Sequence, residues 1–144
     1  MKTVLLKLMA TGQSWGPFIV RLVVGIIFVA HGGQKFFEKG IDAVAQGFGS
    51  MGIPMPYLNA ILAGSAEFFG GILFILGLAV RPAAIPLAFT MIVAFVKVHG
   101  GNGFFLPGGF EYVFALFFLI VAVGIEGAGR FSLDGLLTKK ITNS

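Results

Sequence analysis

Four long apolar segments constrain the fold of this chain more than any other feature. They cover about residues 17–37, 57–80, 82–99 and 110–126. A helix that crosses a bilayer needs about 20 mostly apolar residues, and helices satisfy their own backbone in lipid over such lengths. None of the segments alternates polar and apolar residues as a half-buried strand does. The sequence therefore predicts an all-α, membrane-embedded four-helix bundle that forms a single domain over residues 1–144.

The scarcity of charge supports a membrane location. Of the 144 residues, 57% are hydrophobic and 11% are charged, whereas a soluble domain carries about 25% charged residues. The net charge is +4, but the basic residues are scattered and form no patch for nucleic acid, so the predicted partner is the lipid bilayer. The chain has no cysteine, which excludes disulfides, thiol redox catalysis and thiolate-held metal or iron–sulfur sites.

The basic residues predict the orientation of the bundle. An even number of spans places both termini on one side, and basic residues accumulate on the cytoplasmic face. The side of the termini holds Lys2, Lys7, Arg21, Arg81, Arg130, Lys139 and Lys140, and the other side holds Lys35, Lys39 and Lys97. Both termini are therefore predicted to be cytoplasmic.

The connection between the first two spans predicts an additional helix. In "IDAVAQGFGSM" the apolar residues recur at helical spacing at Ile41, Val44, Ala45, Phe48 and Met51. This pattern is typical of a short helix that lies in the interface plane.

Glu67 is the most informative polar residue inside a span. It lies roughly 15 Å into the second helix, near the bilayer midplane, where a charged group usually faces the bundle interior. The same helix face carries small residues that allow helices to approach closely, namely Ala60, Ala63, Gly64, Gly70 and Gly71. Two interpretations stay open: a buried acid that locks helix packing, and a proton-carrying or ligand-binding carboxyl.

Two basic residues share one face of the first helix. At about 100° per residue, Gly25, Phe28 and Lys35 fall within about 40° of the direction of Arg21, as does Gly32. Arg21 can extend to the interface as an anchor or pair with an acid in the bundle. Lys35 can anchor the outer interface or contribute to a ligand site.

The two histidines are predicted to lie near the outer face. His31 ends the first helix, His99 ends the third, and Glu111 begins the fourth at a similar depth. Together with Lys35 they are candidates for binding an outer-leaflet ligand, although a plain interfacial role for both histidines stays open. Two imidazoles and a carboxylate are also chemically suited to a metal or a haem, but no ligand spacing supports either, and neither is predicted.

The closing "GAGRFSLDGLL" predicts a short terminal helix. Ser132 is placed to cap it, and Asp134 falls in its first turn, where an acid is favourable. Arg130 and Asp134 are expected to pair. We interpret a set of residues as structural: Arg21, Gly71, Arg81, Arg130 and Asp134.

The chain resembles the DoxX family of small bacterial membrane proteins. The resemblance covers nearly the whole chain and rests on "RLVVGIIFVAHGGQK", "GIPMPYLNAILAGSAEFFGGILFILGLAVRPAA", "KVHGGNGFF" and "GAGRFSLD". It implies four transmembrane helices in the bacterial cytoplasmic (inner) membrane. It also implies a redox connection, because related DoxD-type proteins are subunits of a thiosulfate:quinone oxidoreductase and some DoxX proteins are linked to membrane complexes that handle oxidative stress. The family's polar motif residues correspond to His31, Lys35, Glu67, Arg81, His99, Arg130 and Asp134.

Three functions stay open at this point. The first is a quinone-associated redox subunit in which Glu67 handles a proton and His31, Lys35 and His99 hold a quinone head or an anionic donor. Its electrons would come from a partner protein or a bound cofactor, so an enzymatic role is left undecided. The second is a non-catalytic scaffold that recruits a soluble enzyme. The third is a small-molecule carrier gated by Glu67, which would require a homo-oligomer because four helices are few for a carrier.

Overall fold

The computed structural model describes Val4 and residues 14–143, and the elements of this part of the chain are helical. Lys2 and Lys7, which enter the orientation argument, lie outside the described residues. The helices are α1 (Trp15–Gly33), α2 (Ile41–Ser50), α3 (Pro56–Leu76), α4 (Val80–Ala94), α5 (Glu111–Glu126) and α6 (Leu133–Thr142). A π-helical segment, Gln34–Glu38, extends α1. A second one, Phe95–His99, extends α4 and leads into a 3-10 turn at Gly100–Asn102.

Three helical stretches of the described chain are long and apolar enough to cross a bilayer: Trp15–Glu38, Pro56–Leu76 and Val80–Asn102. They correspond to the first three predicted spans, and the all-α membrane class is confirmed. The fourth predicted span, α5, has 16 residues. At 1.5 Å per residue it is about 24 Å long, somewhat short of a hydrocarbon core of about 30 Å. That α5 crosses the membrane therefore stays a prediction.

The second predicted span ends earlier than expected. The sequence predicts its end near residue 80, but α3 ends at Leu76 because Gly77 adopts the left-handed conformation, with φ +64°. The Gly77 N–H then donates to the carbonyl of Phe74, and the Leu78 N–H donates to the carbonyl of Leu73. This closing pattern satisfies helix-end carbonyls and suits glycine, which has no Cβ to clash.

The backbones of α1 and α3 are in direct contact. A Cβ built on Gly25 would lie 2.8 Å from the carbonyl oxygen of Gly71, and one built on Gly32 would lie 2.5 Å from the backbone nitrogen of Phe68. Even a methyl group would therefore collide with the neighbouring backbone. Glycine lets the two helices approach this closely. The buried residues of α1 are Val24 and four of the residues that share the face of Arg21: Arg21, Val24, Gly25, Phe28 and Gly32.

The other long helices close a ring around one apolar core. Helix α3 also contacts α4, α4 contacts α5, and α5 returns to α1. The largest fully buried apolar side chains include Phe28, Phe74, Leu87 and Ile120. Large apolar side chains on the outside of the ring, among them Ile85, Phe89 and Ile125, are exposed, as expected of a surface that faces lipid.

The short helix α2 lies against α3 where the sequence predicts an additional helix. Val44 and Ala45 are buried with Ala60 of α3, and Ile41 and Phe48 pack beside them. The apolar face of α2, which the sequence predicts to lie in the membrane interface, thus packs against α3.

Candidate functional site

A buried ion pair joins α3 to the π-helical extension of α1. The Lys35 ammonium donates to Oε2 of Glu67, and the two side chains are 19% and 8% exposed. It is the one ion pair recorded among residues 14–143. The interpretation of Lys35 as an anchor at the outer interface is therefore wrong. Helical side chains lean toward the N-terminus of their helix, so Lys35 extends back into the bundle and reaches Glu67.

The surroundings make this pair energetically important. Taking two charges out of water is costly, and close contact in a medium of low dielectric offsets that cost. Removing either partner would leave the other charge buried and uncompensated. Of the two interpretations of Glu67, the structure shows the packing contact directly, and the proton-carrying or ligand-binding role stays a prediction.

Four phenylalanines flank the ion pair; we call Phe36, Phe37, Phe68 and Phe69 the phenylalanine cluster. Phe37 and Phe68 have ring centroids 5.8 Å apart, and Phe68 and Phe69 have theirs 5.5 Å apart, both pairs edge to face. Phe36 also lies edge-on to Phe68, at 6.4 Å. Phe37 and Phe69 are 77% and 59% exposed. Exposed and partly buried aromatic rings therefore adjoin the two helical segments that carry the ion pair.

A glycine on α3 makes room for this arrangement. A Cβ at Gly64 would lie 3.0 Å from Cζ of Phe36, so the ring occupies the space that a side chain would need. Gly64 is three residues before Glu67, on the same face of α3. The small residue thus lets Phe36 pack beside the charge pair.

The structure does not connect the two histidines to this pair. His31 is exposed on α1. Nδ1 of His99 lies 2.8 Å from the carbonyl oxygen of Gly108, and Oε1 of Glu111 accepts a hydrogen bond from the Leu106 N–H. Within the described residues no group of three or more His, Asp or Glu side chains is placed to hold a metal ion. A ligand-binding role for His31, His99 and Glu111 stays a prediction.

Arg21 forms a second polar centre at the opposite end of α1. Its side chain is fully buried, at 0% exposed, and its guanidinium donates to five backbone carbonyls, the full donor capacity of the group. The acceptors are Phe74 and Ile75 for Nη1, Ala128 for Nε, and Arg130 and Phe131 for Nη2. The interpretation of Arg21 as an interfacial anchor is therefore wrong, because the side chain joins the end of α3 to the segment before α6. Its hydrogen bonds go to backbone carbonyls, and the Asp134 carboxylate also interacts with it electrostatically.

Asp134 and Arg81 complete helix ends on the same side of the bundle. The Asp134 carboxylate accepts from the Ala79 N–H at 2.8 Å and from the Val80 N–H at 3.2 Å, where α4 begins. An anion is favourable at a helix N-terminus. Nη2 of Arg81 donates to the carbonyl of Ile125 at the end of α5. The expected local pair of Arg130 and Asp134 is not formed, because Asp134 binds these amides and the Arg130 guanidinium lies 5.0 Å above the ring of Trp15.

The sequence indicated which polar residues are important, but for most of them it did not indicate which groups they bind. Ser132 caps α6 as predicted, accepting from the Gly135 N–H. The Lys35–Glu67 contact was not predicted. Each residue lies on a helix face that contains glycines, and two such faces are expected to pack together, so this pattern could have indicated the contact. Every residue has a backbone carbonyl, so the sequence does not show which carbonyls accept hydrogen bonds from Arg21.

Fold, composition and polar centres together define a small polytopic helical membrane protein. The DoxX family model matches residues 16–100, which include the Lys35–Glu67 pair and Arg21. The chain belongs to the DoxX family.

Similar proteins occur in several bacteria. A Bacillus subtilis protein named "Putative oxidoreductase CatD" is 32% identical over 126 residues, covering 86% of this chain and 88% of its own length. The membrane protein Rv3486 of Mycobacterium tuberculosis is 34% identical over 139 residues, covering 85% and 82%. The inner membrane protein YphA of Escherichia coli is 39% identical over 81 residues, covering 56% of each chain. No solved structure matches the chain.

The five bonds of Arg21 predict a large cost for Arg21→Lys. Lysine offers three donors, so at least two buried carbonyls lose their partner, at about 1–3 kcal/mol each. We expect a loss of about 2–6 kcal/mol in unfolding free energy, measured as a lower unfolding temperature in detergent. Arg130→Lys is the control and should change little, because an ammonium also interacts with the Trp15 ring. Equal stability of the two variants would contradict the structural role of Arg21.

The ion pair predicts strong coupling between Lys35 and Glu67. Lys35→Met and Glu67→Met each leave one buried charge unpaired and should destabilise the protein by about 3–5 kcal/mol. The double variant removes both charges and should recover most of that loss. A double-mutant cycle on detergent-solubilised protein measures the coupling. Additive single effects would show that the pair does not hold α1 to α3.

Proposed function

We propose that this protein is the membrane-embedded subunit of a redox assembly, and that the Lys35–Glu67 pair binds the polar head of a quinone. The observation that supports the proposal is a largely buried ion pair beside a cluster of phenylalanines, two of which are exposed on the outside of the bundle. Ligand sites in proteins are mostly apolar, with a few convergent polar groups that orient the ligand. The phenylalanine cluster and the pair fit that description.

The donor set fits a quinone. The Lys35 ammonium has three donors, and its recorded bond uses one of them for Glu67, so further donors remain for a carbonyl oxygen. The exposed rings of Phe37 and Phe69 offer an apolar surface for an isoprenoid tail. A quinone, when bound, accepts electrons and protons.

The residues of the pair would divide two tasks. Lys35 would orient the ligand by hydrogen bonding and favour negative charge on its oxygen. Glu67 would hold or release a proton beside it, a role in keeping with ionisable groups buried inside membrane bundles. The chain has no cysteine, and we propose that a partner protein supplies the electrons. The name of the Bacillus subtilis relative supports a redox role.

We further propose that α5 is the fourth transmembrane helix of a single domain covering residues 1–144, with both termini in the cytoplasm. Helix α5 contacts both α1 and α4, and Val113, Leu116, Ile120 and Val123 contribute to the core. Its outward side chains, such as Phe114, Phe118 and Ile125, are apolar and exposed. The name of the Escherichia coli relative supports the inner membrane as the location.

The absence of native cysteine allows a direct test of this topology. Lys140→Cys and Gly101→Cys place single thiols at exposed positions near opposite ends of the bundle. In intact spheroplasts, a membrane-impermeant maleimide should label Cys at position 101 and should label position 140 only after permeabilisation. Labelling of both positions in intact spheroplasts would contradict an even number of spans.

Quinone binding is tested by the content of the purified protein. The wild type in mild detergent should retain quinone detectable by extraction and mass spectrometry, and Lys35→Met/Glu67→Met should retain about tenfold less, as expected from the loss of about 1.4 kcal/mol of binding. Lys39→Met is the control, because Lys39 is exposed in the same region, and it should retain the wild-type amount.

The double variant is used because it leaves no unpaired buried charge and should therefore stay folded. A loss of quinone then reports on binding and not on unfolding. Wild-type protein without quinone, or equal retention in the double variant, would overturn the proposal. A preparation that retains a soluble enzyme and no quinone would favour the scaffold alternative.

A further inference from the structure

A groove opens at the end of the bundle opposite the phenylalanine cluster. It has a volume of about 480 Å³ and lies between the end of α3 and helix α6, a size within the range of about 300–1,000 Å³ typical of ligand sites. Ile75 and Leu76 form one wall, and Phe131, Leu136 and Lys139 form the other with Arg130. The groove therefore combines an apolar lining with two cationic side chains.

This groove lies at the level where a bilayer meets water. The surrounding chain contains the ends of α3 and α5 and the beginnings of α1 and α4. Trp15 packs there against Phe18 and Phe131, and tryptophan is enriched at membrane interfaces. Phe131 and Leu136 are 70% and 63% exposed. Exposed apolar side chains beside cations are suited to the boundary between acyl chains and headgroups.

Neither cation of the groove is neutralised by the described part of the protein. The recorded ion pair among residues 14–143 involves Lys35 and Glu67. Asp134, which lies between the two cations in sequence, is buried and binds the amides of Ala79 and Val80. Within residues 14–143, Arg130 and Lys139 therefore present positive charge without an ion-pair partner along an apolar surface, with the Arg130 guanidinium over the ring of Trp15.

The buried Arg21 fixes the wall of the groove in advance. Its Nη2 binds the carbonyl oxygens of Arg130 and Phe131, which turns these carbonyls inward. Phe131 also adopts a left-handed backbone, with φ +49°, a conformation that costs a non-glycine residue of order 1–3 kcal/mol and often occurs at binding sites. The backbone of this wall is therefore fixed by hydrogen bonds to Arg21 and strained at Phe131.

We infer that this groove binds an anionic phospholipid. The headgroup phosphate would contact Arg130 and Lys139, and the upper part of an acyl chain would lie against Leu76, Phe131 and Leu136. Charge complementarity selects the headgroup, because a zwitterionic lipid would bring its own cation against the two basic side chains. The site is remote from the Lys35–Glu67 pair and does not depend on quinone binding.

Native mass spectrometry of the full chain in a non-ionic detergent tests this inference. The probes are dioctanoyl phosphatidylglycerol, dioctanoyl phosphatidylcholine and inorganic phosphate. The phosphatidylglycerol should bind at least about tenfold more tightly than the phosphatidylcholine, because two basic residues near a surface each favour an anionic lipid by about fivefold. Inorganic phosphate at the same concentration should not displace it, since it lacks the acyl contacts.

Neighbouring lysines on α6 provide a matched pair of variants. Lys139→Ala should weaken phosphatidylglycerol binding about fivefold, whereas Lys140→Ala, which removes an exposed lysine outside the groove lining, should change it less than twofold. Both variants should unfold at the wild-type temperature without lipid. Equal weakening by the two variants, equal binding of the two lipids, or displacement by inorganic phosphate would each overturn the inference.

Discussion

The backbone contact between α1 and α3 is the constraint on which the rest of the structure depends. Gly25 and Gly71 leave no space for a side chain between the helices, so the two backbones lie in direct contact. At one end Arg21 reaches the last carbonyls of α3, and at the other Lys35 reaches Glu67. Both cations would fall short of these partners if bulky side chains separated the helices.

The two polar centres differ in what their chemistry permits. The guanidinium of Arg21 is charged at all relevant pH values, is planar, and has every donor engaged by backbone carbonyls, so it is a fixed part of the scaffold. An ammonium is a compact charge with rotatable donors, and a carboxyl can gain or lose a proton. The proposed ligand role of the Lys35–Glu67 pair is in keeping with this chemistry, whereas Arg21 could not bind a ligand without leaving carbonyls unsatisfied.

Periodicity predicted which residues share a helix face, and it could not predict which of them meet. The inward direction of Glu67 was predicted correctly. The grouping of Arg21, Gly25, Phe28 and Gly32 on one face follows from helical geometry, but only the structure shows that this face is buried. The pairing of Lys35 depends on the π-helical segment and on the register of α1 against α3, which hydropathy does not encode. Depth alone suggested a shared pocket for His31 and His99, but position around the helix axis leaves His31 exposed.

The partners of Arg21 also have a temporal consequence. Its carbonyl acceptors at Ala128, Arg130 and Phe131 are separated from it by 107 to 110 residues, and the amides of Ala79 and Val80 receive the Asp134 carboxylate from a similarly late part of the chain. A nascent chain emerges from the ribosome N-terminus first. The first helix is thus synthesised with a guanidinium whose acceptors at Ala128, Arg130 and Phe131 follow only 107 to 110 residues later, so a segment made late closes the fold around a segment made early.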